Sequence, residues 1–173
     1  MNHDSYSDAY IREILDDTKT VAMVGASSNN VRPSYFVLKY MLSKDYDVWP
    51  INPGQAGKEI LGQTVYASLA DLPETPDMID IFRNSEAAGQ MVDDVLASGK
   101  LPKIIWMQLT VRHDEAAKRA EEAGIKVVMD RCPKIEYGRL SGEIGWAGVN
   151  SRTVSSKRPA LKAGFQHRGL RGK

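Results

Sequence analysis

Five short apolar segments alternate along the chain with segments whose apolar residues recur every three or four positions. Most of the short segments are nearly continuous in apolar residues, as in parallel strands that are covered on both faces of a sheet. Strands that alternate with helices indicate right-handed crossovers. The pattern therefore predicts a single α/β domain with a doubly wound, Rossmann-like sheet of five parallel strands. Those strands are predicted at TVAMVG (20–25), DVWPIN (47–52), MIDIF (78–82), KIIWMQ (103–108) and IKVVMD (125–130).

The helical segments differ in how polar their outer faces are. Residues 88–96 have apolar positions at helical spacing, and Gly99 ends this helix. A second helix has a stripe of alanines and ends at Gly124. A third, amphipathic helix is predicted around Ile11, before the first strand. The helix predicted at 33–43 is apolar on almost every side. A helix without a polar face is usually buried, so we expect a second copy of the chain, as in a homodimer or larger assembly, to cover part of it.

Length and composition narrow the class of protein. The 173 residues are 42% hydrophobic, but no run approaches the roughly 20 apolar residues that a membrane span requires. The acidic, polar start of the chain does not resemble a signal peptide. A single cysteine and three scattered histidines offer neither an internal disulfide nor a metal site. We expect a cytoplasmic protein without a bound metal.

The charge is unevenly distributed along the chain. Residues 150–173 contain seven of the 23 basic residues and none of the 22 acidic ones, so residues 1–149 have a net charge of −6. The terminal segment is also rich in small polar residues, and such a segment buries too little apolar surface to fold alone. We predict a domain at 1–149 and a basic tail that is flexible or docks on a partner. The tail lacks an aromatic stacking platform, which argues against nucleic acid.

The turn after the first predicted strand has the composition of an anion site. Gly25 permits a tight turn, and the small side chain of Ala26 leaves room beside it. The hydroxyls of Ser27 and Ser28 can donate hydrogen bonds. In doubly wound folds, ligands bind outside the carboxyl ends of the strands, where this turn lies.

The helix that follows this turn supports the same interpretation. Pro33 suits the first turn of a helix, where its missing N–H would have no partner. The start of the helix then directs unpaired N–H groups and the positive end of its dipole at the turn, and Arg32 adds a charged group that can bind phosphate.

A nicotinamide dinucleotide fits this pattern poorly. The second and third glycines of the dinucleotide fingerprint are missing after Gly25, so the backbone cannot approach a pyrophosphate in the usual way. Asn52 and Pro53 end the second strand, where an Asp or Glu would bind a ribose hydroxyl. An NAD(P)-dependent oxidoreductase is therefore the alternative hypothesis and not the first one.

Five sequence blocks stand in order along the chain: VAMVGASSNNVRPSYFVLKYML, VWPINPGQAGKEILGQTVYASLADLP, DIFRNSEAA, IIWMQLTVR and VVMDRCPKIEY. Together they resemble those of the small bacterial CoA-binding proteins of the YccU-like group. This family is a free-standing relative of the N-terminal domain of the succinyl-CoA synthetase alpha subunit. The resemblance extends over about residues 8–140.

The resemblance implies that coenzyme A or an acyl-CoA is the ligand. Ser27, Ser28 and Arg32 would contact phosphates of its 3′-phospho-ADP half. Asn52 and Pro53 would flank the ribose and the adenine, together with the two residues that follow them.

The family resemblance also implies contacts on the other predicted strands. Gln55 stands where synthetase relatives have a phosphate-binding lysine, which Lys58 or Arg83 could replace. Phe82 and Arg83 would pack against the adenine or the pantetheine arm, although Arg83 could instead neutralise surface acids. Gln108 would hydrogen-bond a pantetheine amide.

Three further residues have a structural and a chemical interpretation. Trp106 lies inside an apolar strand and is interpreted as core rather than as a platform for the ligand, and His113 is interpreted as a helix-start residue rather than as an acid–base catalyst. By family position, Cys132 lies near the end of the cleft that a CoA thiol would reach. Its thiolate could form a mixed disulfide with CoA if Arg131 and Lys134 lowered its pKa. The alternative is a small buried residue at a Cys-Pro turn.

The chain has no complete catalytic constellation. Only 24 residues follow position 149, too few for the phosphohistidine and nucleotide-binding domains of a synthetase, and no nucleophile elbow, HExxH motif or P-loop is present. The resemblance therefore favours a non-catalytic CoA-binding module, a sensor or a carrier. A detached CoA-binding subunit of a multi-chain acyl-CoA ligase is the other alternative.

Overall fold

The computed structural model describes residues 1–143, and its centre is one sheet of five parallel strands. The predicted fold class is confirmed. The predicted basic tail, and the domain boundary before it, lie outside the described residues. In chain order the strands are β1 Thr20–Val24, β2 Asp47–Ile51, the short β3 Glu59–Ile60 and β4 Gln63–Thr64, β5 Met78–Ile81, β6 Ile104–Met107 and β7 Lys126–Val128. The sheet has the order β2-β1-β5-β6-β7, and β3 and β4 lie outside it.

Two layers of helices cover the sheet, one on each face. The helices α1 (Asp8–Asp17), α2 (Pro33–Leu42) and α5 (Pro133–Leu140) supply the apolar side chains of one face. The helices α3 (Ser85–Ser98) and α4 (Asp114–Glu122) supply those of the other. Side chains alternate between the faces along each strand, so neighbouring residues of the same strand belong to different halves of the core.

The ends of the helices follow from the residues found there. Pro33 occupies the first position of α2, and Asn84 caps α3 by accepting a hydrogen bond from the backbone N–H of Ala87 at 2.8 Å. The helix α3 stops at Gly99, whose φ of 69° is left-handed. His113 caps α4 through Nδ1, which confirms its interpretation as a helix-start residue.

Several short elements were not predicted. The helix α5 is one, because its buried Glu136 is paired with Arg139 and interrupts any apolar stripe. Two strands of two residues each, β3 and β4, form an antiparallel pair. The remaining elements are β3 Glu59–Ile60, β4 Gln63–Thr64 and the 3₁₀ helices Pro53–Gln55 and Leu69–Asp71.

Both outer edges of the sheet are engaged by neighbouring segments. At β7, the hydroxyl of Tyr6 accepts a hydrogen bond from the N–H of Met129, and the hydroxyl of Tyr10 donates one to the carbonyl of Val127. At β2, the segment around Tyr66 exchanges backbone hydrogen bonds with the strand end. These contacts satisfy backbone groups that an edge strand would otherwise expose.

The helix α2 buries one side and leaves aromatic side chains on the other. Val37, Leu38 and Met41 are in the core, whereas Phe36 is 49% exposed. A second copy of the chain over this face stays a prediction. Among residues 1–143, no helix combines the length and apolar character needed to cross a bilayer.

Candidate functional site

The strand order places the candidate site where the chain changes direction within the sheet. From β1 the chain passes to β2 on one side and then back across β1 to β5 on the other. The loops after β1 and β5 therefore diverge at the carboxyl edge, which is where open α/β sheets bind ligands.

Gly25 is required by the close approach of two backbones at this edge. Its φ is 87°, and a Cβ added there would lie 2.6 Å from the carbonyl oxygen of Phe82, at the end of β5. Its N–H donates to the carbonyl of Ile51, at the end of β2. A larger residue at this position would thus displace the strand ends themselves, so substitution of Gly25 tests folding as much as binding.

The loop between β1 and α2 presents hydroxyls and one cation to solvent. Ser28 and Arg32 are exposed and Ser27 is partly exposed. The Oγ of Ser27 accepts a hydrogen bond from the N–H of Asn29 at 3.2 Å, which leaves its own O–H available to donate. Arg32 stands at the cap position of α2, which no side chain caps, and it forms no ion pair with any residue among 1–143.

A cavity of about 700 Å³ opens beside this loop, on the face covered by α3. Four of the predicted site residues line it: Gly25, Asn52, Pro53 and Arg83. Lining residues that the sequence analysis missed come from α3 and from the segments 67–70 and 75–76, and Lys100 follows α3. For these residues the sequence offers one indication, the apolar stripe of α3, to which the lining residues Met91 and Val95 belong.

Arg83 is the exposed cation on the wall of this cavity closest to the turn. Its side chain packs next to Gly25, and within residues 1–143 it forms no hydrogen bond or ion pair. Neutralisation of a nearby surface acid, the alternative interpretation of Arg83, finds no support in these contacts. Lys58, the other proposed replacement for the missing lysine, is exposed and does not line the cavity.

The remaining predicted residues on the strand ends lie on the opposite face of the sheet. Ala26 and Cys132 belong to the half of the core under α1, α2 and α5, and Phe82 packs against it. Gln108 is buried beside Asp80, which lies on β5 in register with Trp106. The predicted site residues are therefore not brought into a single pocket: they form two groups, on either side of the loop after β1.

Cys132 does not have the properties of a reactive thiolate. It is 7% exposed, and burial raises the pKa of its thiol to about 11, with the Asp80 carboxylate adding to the rise. The condition for a reactive thiolate, a pKa lowered by the neighbouring cations, is not met, because desolvation outweighs the charge of Lys134. The alternative, a small buried residue at the start of α5, agrees with the structure.

Trp106 is a core residue, as predicted. It is fully buried in β6, and its Nε1 donates a hydrogen bond to the carbonyl of Arg131 at 2.7 Å. This bond connects the strand to the loop that leads into α5, so Trp106 fixes the position of Cys132.

Comparisons with known proteins agree with this geometry. The uncharacterized protein YneT of Bacillus subtilis strain 168 is 32% identical over 131 residues, which are 76% of this chain and 94% of YneT. A hypothetical protein from Pyrococcus horikoshii OT3 is 37% identical in sequence, with a TM-score of 0.73 over 82% of this chain and 97% of its own.

A larger protein contains a similar domain. The dinucleotide forming acetyl-coenzyme A synthetase 1 of Ca. Korarchaeum cryptofilum matches 66% of this chain with 26% of its own, at 25% identity and a TM-score of 0.56. Residues 19–138 of the present chain match the family described as CoA binding domain. With more than half of its length matched, the chain belongs to the CoA-binding domain family.

Proposed function

We propose that this protein binds coenzyme A or an acyl-CoA across the carboxyl edge of its sheet, as a module without catalytic chemistry of its own. One observation carries the proposal: an apolar cavity with the unpaired Arg83 on its wall lies on one side of the loop after β1, and a buried polar pair lies on the other. CoA has the matching order of groups, with adenosine and phosphates at one end and an amide-containing arm at the other.

The cavity suits the adenosine end of the ligand. Its volume of about 700 Å³ lies within the range typical of small-molecule sites. Val24, Ile79 and Met91 offer apolar contact to a flat base, and Arg83 and Lys100 offer positive charge. A base that carries phosphates requires this combination of an apolar wall and cations.

The loop after β1 suits the phosphates. The hydroxyl of Ser27 and the side chain of Arg32 can both donate toward an anion held at the uncapped start of α2. Ser28 would contribute its hydroxyl, because its N–H already donates to Oε1 of Gln55 at 3.2 Å. Gln55, in the place of the family's lysine, thus supports the loop and leaves phosphate binding to arginines.

The opposite face suits the pantetheine arm. Phe82 is partly buried and borders the turn, Gln108 has a side-chain oxygen with no donor among residues 1–143, and Cys132 lies beyond them. A high thiol pKa for Cys132 and a capping role for His113 support binding without covalent or acid–base chemistry at these residues.

The ligand is identified by denaturing freshly purified protein and measuring released small molecules by mass spectrometry. Calorimetry with CoA, dephospho-CoA, NAD and NADP then ranks the candidates. We expect CoA to bind more tightly than dephospho-CoA by about 1–3 kcal/mol, the scale of hydrogen bonds to a charged group. Equal affinities would remove the 3′-phosphate contacts from the proposal, and tighter binding of NAD or NADP would contradict it.

The similarity to the acetyl-coenzyme A synthetase favours a second candidate, a detached CoA-binding subunit of a multi-chain acyl-CoA ligase. This candidate requires a stable complex with a second chain that supplies nucleotide chemistry. Native mass spectrometry of the protein isolated from its own cells would detect such a complex. Acyl-CoA synthesis by that complex, lost when this subunit is removed and restored when it is added back, would support the candidate.

A further inference from the structure

Asp80 is a buried carboxyl group in the middle of the sheet. It is 0% exposed, lies on β5 between Met23 and Trp106 in the strand register, and is engaged by the side chain of Gln108. Among residues 1–143 no cation pairs with it. Burial raises the pKa of Asp80 to about 7, and the bonds from Gln108 oppose the rise. An ionised carboxylate in such surroundings lowers stability, which calls for a reason to have it there.

Gln108 is held in one orientation by this carboxyl group. Its Nε2 lies 2.9 Å from one oxygen of Asp80 and 3.1 Å from the other. While Asp80 is ionised, its carboxylate only accepts hydrogen bonds, so the amide then faces it with its NH₂ group and turns Oε1 away.

The Oε1 atom of Gln108 is then a buried acceptor without a donor. The side chain is 6% exposed, and no group among residues 1–143 donates to Oε1. A buried acceptor left unpaired lowers stability, and native proteins satisfy nearly all such groups. A donor from outside the described chain is the simplest way to satisfy this oxygen.

The position of Gln108 identifies where that donor comes from. Gln108 directly follows β6, and its backbone N–H donates to the carbonyl of Ile81, next to Phe82 and hence to the Gly25 turn. This is the carboxyl edge of the sheet, beside the loop to which the phosphates of the ligand are assigned. An arm that extends from those phosphates onto this face meets Gln108.

We infer that Asp80 is a positioning residue, which holds the Gln108 amide so that its oxygen accepts a hydrogen bond from an N–H group of the ligand arm. The inference rests on the proposed function. For CoA the donor is a secondary amide of pantetheine. Asp80 itself touches no ligand: its carboxylate excludes the opposite amide orientation, in which Gln108 would offer a donor and reject the same N–H.

The test compares two ligands on the Asp80→Asn variant. Asparagine has the shape of aspartate but can present either an oxygen or an NH₂ group to Gln108, so the amide is no longer held in one orientation. CoA carries the amide arm, whereas adenosine 3′,5′-bisphosphate carries only the nucleotide end. We expect CoA to bind about 3- to 10-fold more weakly to the variant, the scale of one hydrogen bond, and the bisphosphate to bind as it does to the unmodified protein.

A double-variant cycle separates this role from a general one. If Asp80 acts through Gln108, then Asp80→Asn should cause no further loss of CoA affinity once Gln108→Met has removed the acceptor. The fully apolar pair Asp80→Leu and Gln108→Met keeps shape and leaves no polar group unpaired, so it provides a folded protein if Gln108→Met alone unfolds. It should show the same selective loss for CoA.

The outcomes distinguish this inference from the proposed function. Weak or absent binding of both ligands to the unmodified protein would overturn the proposed function. Binding of CoA that Asp80→Asn leaves unchanged would overturn the positioning role alone. Equal losses for CoA and the bisphosphate, or additive losses in the cycle, would overturn it as well, because they indicate a structural effect on the whole site.

Discussion

The side-chain Nδ2 of Asn52 donates a hydrogen bond to the backbone carbonyl of Ala26 at 2.7 Å and so joins the loops after β2 and β1. The Oδ1 of the same amide accepts from the N–H of Gly54 at 2.9 Å. Gln55 adds a second connection through Ser28. The residue assigned to the ribose therefore also sets the spacing between the two loops that border the cavity.

Replacing Asn52 with Asp should weaken this connection. A carboxylate can still accept from Gly54, but it cannot donate to Ala26, whose carbonyl would face another acceptor. We expect the free energy of unfolding to fall by about 1–3 kcal/mol at pH 7, measured by urea denaturation, and the affinity for CoA to fall as well. The matched control is Asn84→Asp, since that side chain caps α3 through Oδ1 and Asp caps as well as Asn. Equal effects of the two substitutions would contradict the role given to Nδ2.

Arg32 and Arg83, which form no ion pair within residues 1–143, should differ in the phosphate that they contact. Arg83→Gln and Arg32→Gln are each expected to lower the affinity for CoA by about 1–3 kcal/mol, because each removes a charge-assisted hydrogen bond. Calorimetry with CoA and dephospho-CoA distinguishes them: the arginine that binds the 3′-phosphate is the one whose loss makes the two affinities equal. Lys58→Gln is the control, as Lys58 is exposed and lies outside the cavity lining. Unchanged CoA affinity in both arginine variants would remove arginine from the phosphate site.

Asp80 should make stability depend on pH. Its pKa is about 7 in the folded protein and about 4 in an unfolded chain, so the folded state holds a proton that the unfolded state loses first. The associated stability is fully present below about pH 4, is lost as the pH rises through about 7, and no longer changes once both states are ionised. Cys132, the titratable neighbour of Asp80, stays a thiol throughout this range because its pKa is about 11.

The Asp80→Asn variant lacks this dependence. We expect it to become more stable than the unmodified protein as the pH rises from 4 to 8, by roughly 2–4 kcal/mol at the upper end. Urea denaturation of both proteins across this pH range measures the difference. A difference that is constant with pH would show that Asp80 has an ordinary pKa. A more stable variant with weaker CoA binding would indicate that the carboxyl group is present for binding.

Gly89 should be required by the packing of α3 against the start of α4. A Cβ added at Gly89 would overlap the imidazole ring of His113, which is held in place because it caps α4. Alanine has a helix propensity better than that of glycine by about 1 kcal/mol, but overpacking typically costs 1–3 kcal/mol. We therefore expect Gly89→Ala to lower the melting temperature.

A second substitution provides the control for Gly89. His113→Ser retains a capping hydroxyl and removes the ring, so the double variant should recover the stability that Gly89→Ala loses. If Gly89→Ala raises the melting temperature, or if His113→Ser does not rescue it, the contact does not limit the packing.

Cys132 should react slowly in the folded protein. With a pKa of about 11 and 7% exposure, almost none of it is thiolate at pH 8. Iodoacetamide at that pH should label the protein fully after unfolding in guanidinium and barely before. Incubation with CoA disulfide should give no adduct detectable by mass spectrometry. Rapid adduct formation on the folded protein would restore the redox hypothesis.

The sequence predicted the sheet because its signals were local and strong. Continuous apolar runs located all five strands, and Pro33 and Gly99 gave the start of one helix and the stop of another. The helix α5 has no apolar stripe in the sequence, because its inward side carries the ion pair of Glu136 with Arg139. Two-residue strands such as β3 are too short for any periodicity.

The sequence predicts a site residue only where that residue directly follows a predicted strand. Gly25, Asn52 and Arg83 follow strands directly, and the topology brings them to one cavity. The division of the predicted residues between two faces depends on the strand register, which one sequence does not reveal. Asp80 lies within the predicted strand MIDIF, and nothing in the sequence shows that Gln108 faces it or that the carboxyl group is fully buried.

The tyrosine contacts at β7 and the Tyr66 segment at β2 restrict how copies of this chain can associate. With part of the outward backbone of both outermost strands already bonded, a neighbouring molecule has a shorter open edge onto which it could add a strand of its own. Intermolecular sheets, and the fibrillar growth that they seed, are thereby disfavoured. Assembly through helices or loops is favoured instead, and the aromatic side of α2 is the surface where such a contact would be sought.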